Sequence, residues 1–161
     1  MKLYIKQGEV SRSSFLVFDK IGMVKYRVMC AHSSTGMCFS ICNANNLEIA
    51  KIKCKKLNFL SIYNIILSRT IINIIFTVGI TKPVLHIIGT GLEFKGDIIS
   101  KEFSLVKDSN IMMSHKKIWL QDRFYYELDL LDARKEIECL CIAICVDSIL
   151  IDEGFSKLAL N

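Results

Sequence analysis

The chain has 161 residues, 52% of them hydrophobic, and a formal net charge of +5. This length suggests a single domain over residues 1–161, with enough apolar mass for a sizeable core. The opening MKLYIKQ alternates polar and apolar side chains and lacks the apolar run of a signal peptide, so a cytoplasmic chain is expected.

Cysteine usage agrees with that compartment. The count is odd, at seven, and no CxxC pair occurs, which argues against a disulfide framework or a thiolate metal site. Each cysteine sits in an apolar or alternating stretch, where a reduced thiol packs as a small hydrophobe. Charge is uneven along the chain. Residues 1–60 carry ten Lys/Arg against three Asp/Glu, net +7, and residues 61–161 carry eleven against thirteen, net −2. A lysine-rich solvated surface is the plainer reading, and a basic face for an anionic partner is the sharper one.

Most of the chain alternates with period two and holds a single proline, Pro83, which predicts an antiparallel body of many short strands. Leu3 and Ile5 mark a first strand, and a polar loop follows over Glu9 to Ser14. A pattern then occurs twice, 24 residues apart. Phe15, Val17, Asp19, Gly22 and Val28 fall in register with Phe39, Ile41, Asn43, Asn46 and Ile52. Each copy reads as strand, turn, strand. Asp19 or Asn43 can bond the backbone two residues on, and Gly22 or Asn46 can take the positive φ of a short loop. A weaker third copy runs from Phe103 to Asn110.

Lys51, Lys53 and Lys55 alternate with Ile52 and Cys54, so on a strand they project from one face, and Lys56 extends the patch. Such a strip is most often the wet side of a half-buried strand. A lipid-headgroup or phosphate contact is the minority reading.

Phe59 to Ile80 is long and apolar enough to suggest a membrane span. Asn64, Arg69 and Asn73 interrupt it, and a central Arg costs roughly 2.5–3.5 kcal/mol in a bilayer. Two strands, 61–67 and 70–78, joined by a tight turn fit better, with a loop over Gly79 to Pro83. Further strands are expected at 84–88, 92–98, 102–106 and 110–117. Gly89, Gly91 and Gly96 do not have phosphate-loop spacing and read as turns or bulges. Over 123–130, Phe124, Tyr126, Leu128 and Leu130 should face the core, and Arg123, Tyr125, Glu127 and Asp129 the solvent.

The last element is a helix, Arg134 to Glu153, capped by Asp132 and stopped by Gly154. Every residue from Cys139 to Val146 is apolar, so the helix must be enclosed by protein or by lipid. The run is too short for a span and Asp147 breaks it, so protein is expected, with strands curling around the helix. Arg134 and Lys135 at its start, and Asp152 and Glu153 at its end, oppose the helix dipole.

No catalytic constellation is found. His32, His86 and His115 fall on three separate strands, away from metal-ligand spacing. Cys141 and Cys145 share a helix face among apolar neighbours that leave a thiol inert. Trp119 with Phe124, Tyr125 and Tyr126 reads as a core anchor in preference to an aromatic binding platform. No cofactor and no nucleic-acid partner is expected, because no binding motif occurs.

The N-terminal MKLYIKQ, the two hairpin copies, Lys117-Ile-Trp119 with Asp122, Tyr126-Glu-Leu-Asp129, and the helix through Ala143, Asp147 and Asp152-Glu153 resemble the LURF-one-related family. The resemblance runs from Met1 to about Glu153. It implies the tubby C-terminal-like fold, a mainly β architecture of about twelve antiparallel strands in a barrel around a hydrophobic C-terminal helix, shared with phospholipid scramblase-like proteins. No catalytic residues are established for that family, so none is carried over. The chain departs from it at Ser11 to Ser14 and in its degenerate middle, 60–100. The expectation is a monomeric, non-enzymatic, intracellular binding or scaffold module. The alternative is a peripheral membrane module that contacts anionic headgroups through Lys51, Lys53, Lys55 and Lys56. With the interior filled, a binding site should lie on the outer wall or the loop rims.

Overall fold

A computed structural model describes residues 1–7, 14–34, 36–78, 82–120 and 122–149. Most of the expected loops over Glu9 to Ser14 and Gly79 to Pro83, and the helix end with Asp152, Glu153 and Gly154, lie outside them. Twelve strands form among the described residues. They are β1 (Lys2–Gln7), β2 (Phe15–Phe18), β3 (Val24–Ser33), β4 (Gly36–Asn43), β5 (Glu48–Leu57) and β6 (Leu60–Ile66), then β7 (Ile71–Val78), β8 (Pro83–Ile88), β9 (Glu93–Asp97), β10 (Glu102–Lys107), β11 (Asn110–Leu120) and β12 (Arg123–Leu130). All pair antiparallel in one sheet, in the order β8-β7-β6-β5-β4-β3-β2-β1-β12-β11-β10-β9. Every strand pairs with its successor except β8 and β9, and β1 also pairs with β12, through Leu3↔Leu128 and Ile5↔Tyr126. The sheet ends, β8 and β9, lie side by side, so the barrel is nearly closed.

The two hairpin copies are built identically. Asp19 Oδ1 accepts from the amides of Ile21 and Met23, both at 3.0 Å, and Asn43 Oδ1 does the same for Asn45 and Leu47, also at 3.0 Å. Gly22 has φ +82° and Asn46 has φ +61°, the left-handed positions that end each turn. The third copy is a tighter device. Lys107 pairs with Asn110, leaving Asp108 and Ser109 as a two-residue loop with φ +48° and +66°. Two positive φ values in succession are the primed turn that matches strand twist.

The helix follows all the strands. A 3₁₀ turn at Ala133–Lys135 leads into α1 (Glu136–Ile149), and Asp132 caps it by accepting from the Arg134 amide at 2.9 Å. From Cys139 to Ile149 every residue is buried, eight of them with no exposure at all from Cys139 to Val146. The barrel's inward side chains, among them Leu3, Phe39, Ile52, Tyr63, Ile74 and Leu128, form one core with it. The enclosed helix and the twelve-stranded barrel are therefore as expected. No helix among the described residues is long and apolar enough to cross a membrane.

Several details differ from the expectation. The α-helix starts at Glu136, so Arg134 and Lys135 precede its first turn and pair with Asp132 and Glu138 at 2.9 and 2.7 Å. Glu136 and Glu138 occupy that first turn, which suits the positive end of the dipole. Glu136 accepts from the Tyr26 hydroxyl at 2.9 Å and pairs with Lys25 at 2.6 Å. On β12, Glu127 is buried although its parity is outward. Lys2 donates to both of its carboxylate oxygens at 3.1 Å, and Lys116 lies 3.4 Å away. The long lysine stems fold over the carboxylate and cover it. Phe124, expected in the core, is 55% exposed because its strand end rises above the packed interior.

Two stability predictions follow from this packing. Ile144→Asp or Ala143→Arg places an unpaired charge at a fully buried site and should abolish soluble expression, as read by the soluble fraction of a lysate. Desolvation pushes the Glu127 carboxyl up, but the bonds and charges of Lys2 and Lys116 outweigh it and hold the group below its ordinary range. A depressed folded-state value gives stability that is present above the unfolded value, near pH 4.3, and is lost as pH falls through the folded one. Glu127→Gln should therefore lower stability at neutral pH, with the gap to the native protein closing in denaturation curves taken below about pH 4.

Candidate functional site

Three places bring chemically able side chains together: the outer face of β5, a buried polar cluster at one end of the helix, and the rim above that cluster.

On β5, Ala50, Ile52 and Cys54 point into the core, and Lys51, Lys53 and Lys55 point outward, as their alternation requires. Lys56 has inward parity but lies exposed at the barrel's end, where desolvation lowers its ammonium's proton affinity. It therefore extends the patch at the rim and not along the wall. Lys51 pairs with Glu48 at 3.2 Å. Lys53 and Lys55 have no ion pair among the described residues.

The register sets what stands beside each lysine. Lys55 faces Ile62, which faces Ile75 and then His86. Lys53 faces Asn64, then Asn73 and Ile88. Lys51 faces Ile66 and then Ile71. Three rows thus start from a cation on β5: two cross isoleucines on β6 and β7, and the middle one crosses Asn64 and Asn73 before Ile88. Asn64 and Asn73 satisfy each other within that row, Nδ2 to Oδ1, at 2.6 Å. Ile71 and Ile88 are 61% and 50% exposed. A depression of about 370 Å³ lies between β4, β5 and β6, lined by Gly36, Cys38, Lys53, Lys55 and Asn64. Gly36, at φ +142°, closes the β3–β4 hairpin against the Cys54 carbonyl, which a Cβ would strike.

The second place was not legible in the sequence. Asp147, in the last turn of α1, is fully buried. His115 Nε2 lies 3.4 Å from Oδ2, and Lys101 Nζ lies 3.7 Å from Oδ1. The imidazole is held firmly. Its Nδ1 donates to the Lys101 carbonyl at 2.7 Å, since a carbonyl can only accept. Its faces stack between Phe103, at 4.5 Å, and Tyr126, at 5.1 Å. The Lys101 ammonium sits 4.8 Å above the Tyr126 ring, a cation–π contact. Burial, with Asp147 nearby, pushes the Tyr126 hydroxyl up to about 12.

The helix thiols are not activated. Cys139 and Cys141 lie on the same helix, but burial pushes both thiols up to about 12, with lesser contributions from neighbouring acids and thiols, which keeps them unreactive. Among the described residues no group of three His, Cys, Asp or Glu side chains is placed to hold a metal. Asp147 opposes the negative end of the helix dipole, and Lys101 offsets that charge. The contacts of Lys101 and His115 tie the helix end to the β9–β10 turn and to β11.

The third place corrects an expectation. Trp119 is 57% exposed and packs edge-on against Phe124 at 4.4 Å, at the tip of the β11–β12 hairpin. It is not a core anchor. Lys117 Nζ stands 3.9 Å from the Phe124 ring centroid. Of the three histidines, only His115 enters a cluster with an acid. His32 and His86 are exposed on β3 and β8.

The buried cluster can be weighed by a double-mutant cycle. His115→Leu leaves Asp147 with Lys101 alone and should cost about 3 kcal/mol in urea denaturation. Adding Asp147→Asn should return part of that loss, because the buried charge is then gone. Additive losses would show that the two side chains do not act together.

Comparison with known proteins gives one relative to report. Over 155 residues, covering 95% of this chain and 96% of the relative, the sequence is 26% identical to a Bacillus subtilis (strain 168) protein described as uncharacterized protein YxjI. No family model matches the chain, and no solved structure matches it.

Proposed function

We propose that the protein is a non-enzymatic binding module of the LURF-one-related, tubby C-terminal-like kind, and that its partner is an anionic phospholipid surface. The observation that carries this reading is the outer wall of β5 to β8. There a strip of lysines, two of them without an ion pair among the described residues, borders outward-facing Ile62, Ile66, Ile71, Ile75 and Ile88, with the Asn64–Asn73 pair between them. A cation beside aliphatic surface is what a headgroup layer over acyl chains accepts. The phosphate takes the ammonium and the glycerol and acyl region takes the apolar side chain. A basic strip serving only for solubility would not need aliphatic neighbours on the same face.

The enclosed helix supports a binding role in preference to a carrier role. It fills the lumen that a lipocalin-like ligand would occupy. The protein then works at the cytoplasmic face of a membrane, held by charge and by a small apolar contact, and comes off when salt screens the charge.

Flotation with phosphatidylcholine vesicles, with and without phosphatidylserine, tests the reading. Binding should require phosphatidylserine and weaken with added salt. At about 1 kcal/mol per lysine near an anionic surface, Lys53→Gln with Lys55→Gln should bind roughly thirtyfold more weakly. Equal binding of neutral and anionic vesicles, or no loss in the double variant, would overturn it.

A further inference from the structure

Among the described residues, three Phe, Trp or Tyr side chains are largely exposed: Phe59 at 76%, Trp119 at 57% and Phe124 at 55%. The topology puts all three at one end of the barrel. Phe59 lies in the β5–β6 turn, where Leu57 pairs with Leu60. Trp119 and Phe124 pair with each other beside the β11–β12 turn, where Leu120 pairs with Arg123. Between β5 and β11 the sheet order makes six steps, each antiparallel, so the two strands run the same way and their following turns share an end. Six steps of twelve also set the two turns on opposite sides of the mouth. The helix, which starts after β12 at the other end, has its last turn toward this one.

The two ends differ in chemistry. The exposed hydrophobic side chains at the far end are aliphatic: Ile21, Met23, Leu47, Ile71, Ile111 and Leu131. That end also carries Asp19, Glu48, Asp108, Asp129 and Asp132 beside its cations. The aromatic end carries Lys55 and Lys56 beside Phe59, and Lys117 and Arg123 with the acid Asp122 beside Trp119 and Phe124; Asp97 and Glu102 flank its β9–β10 turn, and Leu57, Ile99 and Leu120 are its exposed aliphatics. Aromatic rings with adjacent cations are the side chains that settle at a membrane–water interface.

We infer that the protein docks end-on, with Phe59 on one side of the mouth and Trp119 and Phe124 on the other inserted among the headgroups of an anionic bilayer. The inference rests on the anionic-lipid reading above but moves the main contact from the β5–β8 wall to the rim, with Lys55 and Lys56 shared by both. Charge complementarity selects the occupant: Phe59 has Lys55 and Lys56 beside it, and Trp119 and Phe124 have Lys117 and Arg123, which outnumber the single acid Asp122 there. Geometry selects it too. The anchors lie across a twelve-stranded barrel roughly 20 Å wide. No small ligand bridges that distance, and the anchors do not form the continuous patch that a protein interface needs. A flat bilayer reaches both at once. Lys55 and Lys56, at the top of the lysine strip, belong to both the wall and the rim.

Trp119 is the chain's sole tryptophan, so its emission reports on the rim directly. The full-length protein is mixed with phosphatidylcholine–phosphatidylserine vesicles, plain or carrying brominated acyl chains. The expected result is a blue shift of Trp119 emission, quenching by the brominated lipid, and reversal of both in high salt. Phe59→Ser, at a site far from the tryptophan and too exposed to affect folding, should weaken vesicle binding about tenfold. Phe124→Ser should weaken it similarly, with the melting curve confirming the fold.

Vesicle binding that leaves Trp119 emission unshifted and unquenched, with Phe59→Ser binding like the native protein, would overturn end-on docking while leaving the lysine wall as the contact. No binding to anionic vesicles at all would remove the lipid reading and the inference with it. A Trp119 shift with neutral vesicles alone would also overturn the inference, because the cations would then have no part.

Discussion

One constraint governs the molecule: a helix without a solvent face has to be surrounded. From Cys139 to Val146 no side chain of α1 can meet water without loss, and each large one contributes about 1.5–3 kcal/mol when enclosed. A flat sheet would cover one side of such a helix. Twelve strands curled around it cover all sides, and curling also pairs nearly every strand edge. The same demand explains Asp147. A carboxylate in the helix's last turn cannot reach solvent, so the wall must supply its partners. Lys101 comes from the β9–β10 turn and His115 from β11, which both pass that level.

Local features were readable from the sequence where a short stretch holds all the information. Asp19 and Gly22, and Asn43 and Asn46, each specify a turn within five residues, and the structure builds both turns alike. The apolar run of α1 and the alternation of β5 are equally self-contained. Contacts set by register across the sheet were not readable. Glu127 has outward parity, and only the pairing of β12 with β1 and β11 shows that Lys2 and Lys116 close over it. Asp147 and His115 are 32 residues apart, and no periodicity connects them. Trp119 and Phe124 have inward parity, but parity does not say that the strands outlast the core they line.

For the candidate sites the same division holds. The lysines at 51, 53 and 55 share a face because a strand alternates. That aliphatic rows stand beside them depends on which residues of β6 and β7 fall opposite, which needs the register. The aromatic rim depends on more still, since it joins two turns about sixty residues apart through six intervening pairings. The helix fills the inside of the barrel, so both the lysine wall and the aromatic rim lie on its outside.

The pairing of β1 with β12 has a consequence for how the protein is made. The first strand leaves the ribosome more than a hundred residues before its partner, and the helix that all the strands pack against comes later still. Through most of synthesis the hairpins carry an inward apolar face and have nothing to place it on. The barrel therefore cannot close progressively. It closes once, around α1, because the β1–β12 pairing and the packing on the helix join segments distant in sequence, although the other ten strand pairings join consecutive strands. During that interval the nascent strands present apolar faces and unpaired edges, which is when the chain is most exposed to aggregation and has most use for a chaperone.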